Sequence, residues 1–298
     1  MDWSLLISNL PFVAASTWIA LGVGLGLGLF LVLLAPWFSK TSDTYVRSWR
    51  ARRLRGLGVG LACGTLFGSL FVFLVGADRG SPAIGFIVLP AVAGALVGQA
   101  VAGAIAGAAG REPITRRVGH SQAVSLRDYV SSPVLWAARI LVVAATVALT
   151  LQFVIAAGTT AYDSSTVYPQ VSAFVVVPAL LVLILTEVGA RILVTRPSAA
   201  ESVDALHRQD LQRVRIVSDG AGSALSLGVL AFIIAVPQLV TAIDPRADVL
   251  VIASPAVSEL IMYAAVICVA LSIVFSFRAR VLPLPKSRRS SRLEEASR

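Results

Sequence analysis

The chain has 298 residues, 57% of them hydrophobic and only 14% charged, against roughly 25% charged in an ordinary soluble domain. A mean hydropathy of +0.83 excludes a soluble globular fold, a disordered chain and a secreted disulfide scaffold, and makes the lipid bilayer the relevant solvent. The net charge of +9 does not signal nucleic acid, because the basic residues alternate with apolar spans instead of gathering on one water-facing domain.

About 20 apolar residues are needed to cross the hydrocarbon core as helix. Seven stretches qualify: 12–36, 57–77, 82–108, 133–157, 170–194, 220–242 and 252–276. No stretch alternates apolar and polar residues, so a barrel is not supported. The expected fold is all-α, a polytopic bundle of seven transmembrane helices forming one domain over residues 1–284. The tail, 285–298, is polar, basic and expected to be disordered.

Ahead of the first span stands Asp2 and no basic residue. A cleavable signal begins with a positive segment, so this span is expected to be retained. Span one carries Gly22, Gly24, Gly26 and Gly28, and span two places Gly56, Gly60, Gly64 and Gly68 every fourth residue along one helix face. Gly94, Gly98, Gly103 and Gly107 continue the theme in span three. Such small-residue faces let helix backbones approach closely. Packing within one subunit is the first reading, with a homo-oligomer interface or a mobile transport seam as alternatives. Cys63 and Cys268 fall inside spans and are expected to be buried reduced thiols.

Orientation follows from Lys and Arg, which cytoplasmic loops retain. Lys40, Arg47, Arg50, Arg52, Arg53 and Arg55 precede span two, and Arg111, Arg116, Arg117 and Arg127 precede span four. Arg191, Arg196, Arg208, Arg213 and Arg215 lie between spans five and six, and seven more basic residues follow Ser276. Only Arg79 and Arg246 fall on the opposite side. This predicts an outside N-terminus and a cytoplasmic C-terminus. With 23 Arg to two Lys and abundant Ala, Gly and Val, the composition is that of a high-GC bacterium, which places the chain in a bacterial plasma membrane. Anionic lipids are expected at its basic face.

Residues 199–217 read as a cytoplasmic amphipathic helix, with Val203, Leu206, Leu211 and Val214 on one face. It would lie on the membrane surface or dock a cytoplasmic partner. At an offset of 161 residues, Pro36, Asp43, Arg47 and Arg52 match Pro197, Asp204, Arg208 and Arg213. A duplication would relate spans one to three to spans five to seven in a parallel 3+1+3 plan.

Ionisable groups inside a bilayer are functional candidates by default. By depth, Gln99, Arg139 and Glu187 form a layer toward the cytoplasm, while Gln152, Gln238 and Glu259 form one toward the outside. Arg139 and Glu187 are expected to neutralise each other as a structural ion pair, with Arg191 one turn away as a second partner. Glu259 has no cation at its depth, which makes it the leading functional candidate, in a polar site with Gln152 and Gln238. The alternative is a carboxyl group merely hydrogen-bonded to those amides. Pro90, Pro178 and Pro237 interrupt spans three, five and six, either lining a cavity with freed carbonyls or kinking helices.

His120 and His207 have no ligand spacing with Cys, Asp or Glu, so no metal site is expected. No nucleophile elbow and no phosphate-binding glycine loop occurs. Neither Lys40 nor Lys286 lies in span seven, so a retinal protein is matched in topology only. No enzymatic activity and no cofactor are expected. The Arg116-Arg117-Val118 run, the Arg127-Asp128-Tyr129-Val130 stretch and the helix containing Asp204 together resemble uncharacterised actinobacterial multi-pass membrane proteins, a resemblance that implies no activity. The 3+1+3 plan also looks like that of SWEET sugar transporters. Pro169-Gln170 and Pro237-Gln238, however, both lie near outer helix ends, where the motif of PQ-loop relatives is not expected. The function class expected is a permease or membrane subunit of a transport system for a small or hydrophobic cargo, served by a separate ATPase. The alternative is a non-transporting scaffold or signalling subunit that binds a cytoplasmic regulator or anionic lipid.

Overall fold

The computed structural model describes residues 15–35, 44–75, 83–108, 132–158, 169–195 and 203–243. They form six α-helices: α1 (Ala15–Leu34), α2 (Thr44–Val75), α3 (Ala83–Ala108), α4 (Ser132–Gly158), α5 (Pro169–Thr195) and α6 (Val203–Ile243). Among the described residues there is no strand. Five of the helices, α2 to α6, are long and apolar enough to cross a membrane, and α1 holds a shorter apolar stretch, Ile19–Leu34. The perimeter is apolar: Ile19, Leu29, Ile140, Val154, Leu181 and Ile243 are all exposed. A soluble protein does not present such a surface, and a bilayer accommodates it. The chain is a multi-pass membrane protein. Span seven, with Glu259, and the tail lie outside the described residues.

Two expectations change. The stretch before span two is not a loop throughout, because α2 already begins at Thr44 and runs for 32 residues. The amphipathic segment 199–217 is not a separate surface helix, because α6 runs unbroken from Val203 for 41 residues. At 1.5 Å per residue α6 is about 60 Å long, about twice the hydrocarbon thickness. The Ser218-Asp219-Gly220 run that joins the amphipathic stretch to span six carries the residues of a turn, yet the helix continues through it from one into the other. The three prolines likewise leave their helices continuous: Pro90 sits inside α3, Pro178 inside α5 and Pro237 inside α6.

The glycines are divided between two faces of α2. Toward α3, a Cβ on Gly60 would fall on the Gly94 carbonyl oxygen and one on Gly64 on the Pro90 carbonyl oxygen, while a Cβ on Gly56 would lie 2.5 Å from the Gly98 oxygen. Two antiparallel backbones thus touch along three helical turns, which only residues without a Cβ allow. Toward α1, a Cβ on Gly28 would come within 2.7 Å of the Gly58 oxygen, and one on Gly24 would strike Thr65. Gly68 is buried in the same row. Gly22, Gly26 and Gly103 have open space where a side chain would go, so they take no part in either seam.

The other three helices pack through bulkier residues. Leu135, Ala138, Val142, Ala145, Leu149 and Gln152 are buried along α4 at alternating spacings of three and four, the period of a helix face turned to a partner. Val175, Val182, Leu227, Leu230 and Ile234 complete the core, which joins α3 to α4, α5 and α6. Phe174 on α5 meets Phe71 on α2 edge to face, with ring centroids 4.6 Å apart. Cys63 is exposed on the perimeter instead of buried, and Cys268 lies outside the described residues.

Candidate functional site

All nine charged residues whose side chains are described lie at one end of the bundle: Arg52, Arg53, Arg55, Arg139, Arg191, Arg213 and Arg215 against Glu187 and Asp219. This basic end combines the start of α2, α4 and α6 with the close of α3 and α5. The opposite end holds neutral amides. Hydrocarbon cannot solvate charge, so each group entering the apolar zone needs a partner from the protein.

Arg139 enters α4 two turns from its start, and Glu187 sits two turns from the end of the antiparallel α5. The structure brings them together. Arg139 Nη2 lies 2.6 Å from Glu187 Oε1, and Nε donates to the same oxygen at 2.7 Å. The guanidinium also stacks over Trp136, 5.1 Å from the ring centroid, a cation–π contact that shields it from lipid. Arg191, the expected second partner, is exposed one turn farther along α5.

A second pair, not anticipated from sequence, joins α2 to α6. Arg53 Nη1 lies 3.9 Å from Asp219 Oδ1, and both side chains are almost wholly buried. From sequence alone Arg53 falls in a loop, and span six begins at Gly220, one residue past Asp219. The signal was present in the apolar residues on both sides of Asp219.

Gln99 and Thr186 are among the buried polar side chains left unmet within the described residues at this level, together with Ser223, one turn along α6 from Asp219. Gln99 on α3 is 1% exposed, and neither its Oε1 nor its Nε2 has a hydrogen-bond partner. Its position is telling, since Gly98 before it touches α2 and Ala100 after it lines a cavity against α5 and α6. Thr186 Oγ1 on α5 is also buried without a partner. Other threonines satisfy their hydroxyls within their own helix: Thr65 donates to Leu61 O, Thr146 to Val142 O and Thr241 to Pro237 O. Thr186 departs from that pattern.

At the opposite end, Gln152, Ser172 and Gln238 converge from α4, α5 and α6, all buried. Gln152 Nε2 donates to Ala235 O at 2.7 Å, two residues before Pro237. Ser172 Oγ donates to Gln238 Oε1 at 2.6 Å. Gln152 Oε1 and Gln238 Nε2 are left over, one acceptor and one donor. These two amides are tied to separate partners, and Glu259, expected beside them, lies outside the described residues. No protein-family model, curated protein or solved structure matches the chain.

Among the described residues the bundle offers no nucleophile beside a base and no continuous polar path from one end to the other. Its interior polar groups are instead few, and they fall at two levels: Arg53–Asp219, Arg139–Glu187, Gln99 and Thr186 toward the basic end, and Gln152, Ser172 and Gln238 toward the other.

Proposed function

We propose that the chain is a permease or membrane subunit of a transport system for a small or hydrophobic cargo. The observation that supports this reading is Gln99, a buried amide whose two polar atoms have no partner among the described residues, set on α3 between Gly98, which touches α2, and Ala100, which lines the cleft against α5 and α6. An unsatisfied buried polar group costs about 1–3 kcal/mol, and such a cost is retained where a group meets a passing ligand or water in another state of the bundle. Backbone-on-backbone seams along Gly56, Gly60 and Gly64 let neighbouring helices slide without side-chain interlocking. The scarcity of interior polar groups argues against a large hydrophilic solute.

The rest of the reading follows the sequence. The chain sits in a bacterial plasma membrane with the N-terminus outside and the C-terminus cytoplasmic, and it belongs with actinobacterial multi-pass membrane proteins. Seven helices in a 3+1+3 repeat complete the bundle, a plan supported by α2 and α6, the two helices it would pair, being the longest described at 32 and 41 residues. A separate ATPase would engage the basic end. The second reading, a scaffold or signalling subunit, is favoured by that same projecting basic surface, which suits a regulator or anionic lipid equally well.

Mild-detergent purification of the tagged full chain from its native host, with identification of what co-purifies, separates the two. Stoichiometric recovery of an ATPase supports transport. Recovery of a kinase or other regulator without any ATPase would move the chain to the signalling class.

A further inference from the structure

We infer that the cleft between α3, α5 and α6 at the basic end is a binding site for one acyl chain of an anionic phospholipid. The cleft has a volume of about 190 Å³ and is walled by Ala100 and Ala104 of α3, Thr186 and Gly189 of α5, and Ile216 and Gly220 of α6. An apolar cavity of roughly 150 Å³ already accepts a benzene-sized guest, so the space suits several methylenes. Exposed Ala104, Leu185 and Ile192 stand at its border, which opens it to the apolar perimeter and so to lipid.

Three features select a phospholipid over any other apolar guest. The first is Thr186, 8% exposed, whose Oγ1 lines the cleft with no partner among the described residues. It is a donor in hydrocarbon surroundings, where an ester carbonyl is the acceptor a lipid supplies. Gly220 is what leaves this hydroxyl room, since a Cβ there would stand 2.8 Å from it. The second is charge. Arg191 and Arg215 are the chain neighbours of cleft-lining Ile192 and Ile216, at the basic end where a headgroup phosphate would sit. The described side chains there carry seven arginines against two carboxylates. The third is Gly189, which lines the cleft and has nothing within 4 Å of where its Cβ would be. The space is therefore not claimed by any described helix. Such a lipid would be a fixed part of the bundle, independent of whether the chain transports anything.

Delipidated full-length protein in mild detergent, titrated with dioleoyl-phosphatidylglycerol or dioleoyl-phosphatidylcholine and read by native mass spectrometry, tests the site. One phosphatidylglycerol should be retained at least tenfold more tightly than phosphatidylcholine. Gly189→Phe should abolish that retention while leaving the melting temperature of the lipid-free protein unchanged. Thr186→Val, of the same shape, should weaken retention several-fold, and the Arg191→Gln/Arg215→Gln pair should erase the preference between the lipids. Equal retention of both lipids, or undiminished phosphatidylglycerol on Gly189→Phe, would overturn the proposal. So would a wild-type protein that holds no lipid. In that case a melting temperature lowered by Gly189→Phe would assign the cleft to another segment of the chain, and a loss of dimers would assign it to a second copy. Should Gly189→Phe fail to fold, the lipid comparison on wild type and Thr186→Val decides alone.

Discussion

Arg139 and Glu187 show how a bilayer enforces pairing between single residues. Each alone would leave a charge about 10 Å or more along its helix from the nearer end, and together they leave none. Removing one partner from a buried pair costs more than removing both. In a double-mutant cycle with Arg139→Gln and Glu187→Gln, the coupling is expected at about 1–3 kcal/mol, measured as thermal stability in detergent; strictly additive losses would show that the contact contributes nothing. Gln99 predicts the reverse behaviour. Gln99→Leu keeps the volume and removes two polar atoms that are unmet among the described residues, so the melting temperature should hold or rise while any transport activity falls. A lower melting temperature would mean that Gln99 is a structural hub with partners in the resting bundle. The first pair was legible in the sequence because depth counted from span ends matched an acid to a base on adjacent antiparallel helices. Arg53 and Asp219 escape notice because hydropathy windows close at the first charge, which leaves Arg53 in a loop and Asp219 one residue outside span six.

At the scale of helices, the four-residue glycine period on α2 was readable as a packing face, but its partner was not. Small residues recur on α1 and α3 alike, and only the structure divides Gly56, Gly60 and Gly64 from Gly58. That division carries a prediction. Gly64→Leu drives a side chain into the Pro90 carbonyl and should destabilise the bundle by about 1–3 kcal/mol or more, whereas Leu66, half exposed on the perimeter, should tolerate Ala with a loss under about 1 kcal/mol. Expression level and detergent thermostability compare them, and similar tolerance of both would place the glycine face against lipid. The boundary of α6 was the least legible element. Its first half is amphipathic and its second apolar, so a reading by periodicity splits what the unbroken backbone hydrogen bonding joins.

For the whole molecule, the placement of every described charge at one end agrees with the bias of Lys and Arg along the chain, and that bias sets membrane orientation. Reporter fusions should therefore show cytoplasmic fluorescence after Arg127 and after Arg213, and periplasmic enzyme activity near Asp163. Periplasmic activity at either arginine would invert the topology. The end of α6 that projects past the hydrocarbon has a mechanical meaning as well. A rod that leaves the membrane by about 30 Å and turns by about 10° at the surface moves its tip by about 5 Å. Inside, the same rotation is shared with Gly228, whose missing side chain seats it against Val142, and with Gln238 at the far end. A push applied in water at one end of α6 would travel along a continuous helix as far as Pro237, where the missing backbone N–H loosens the ladder directly before Gln238.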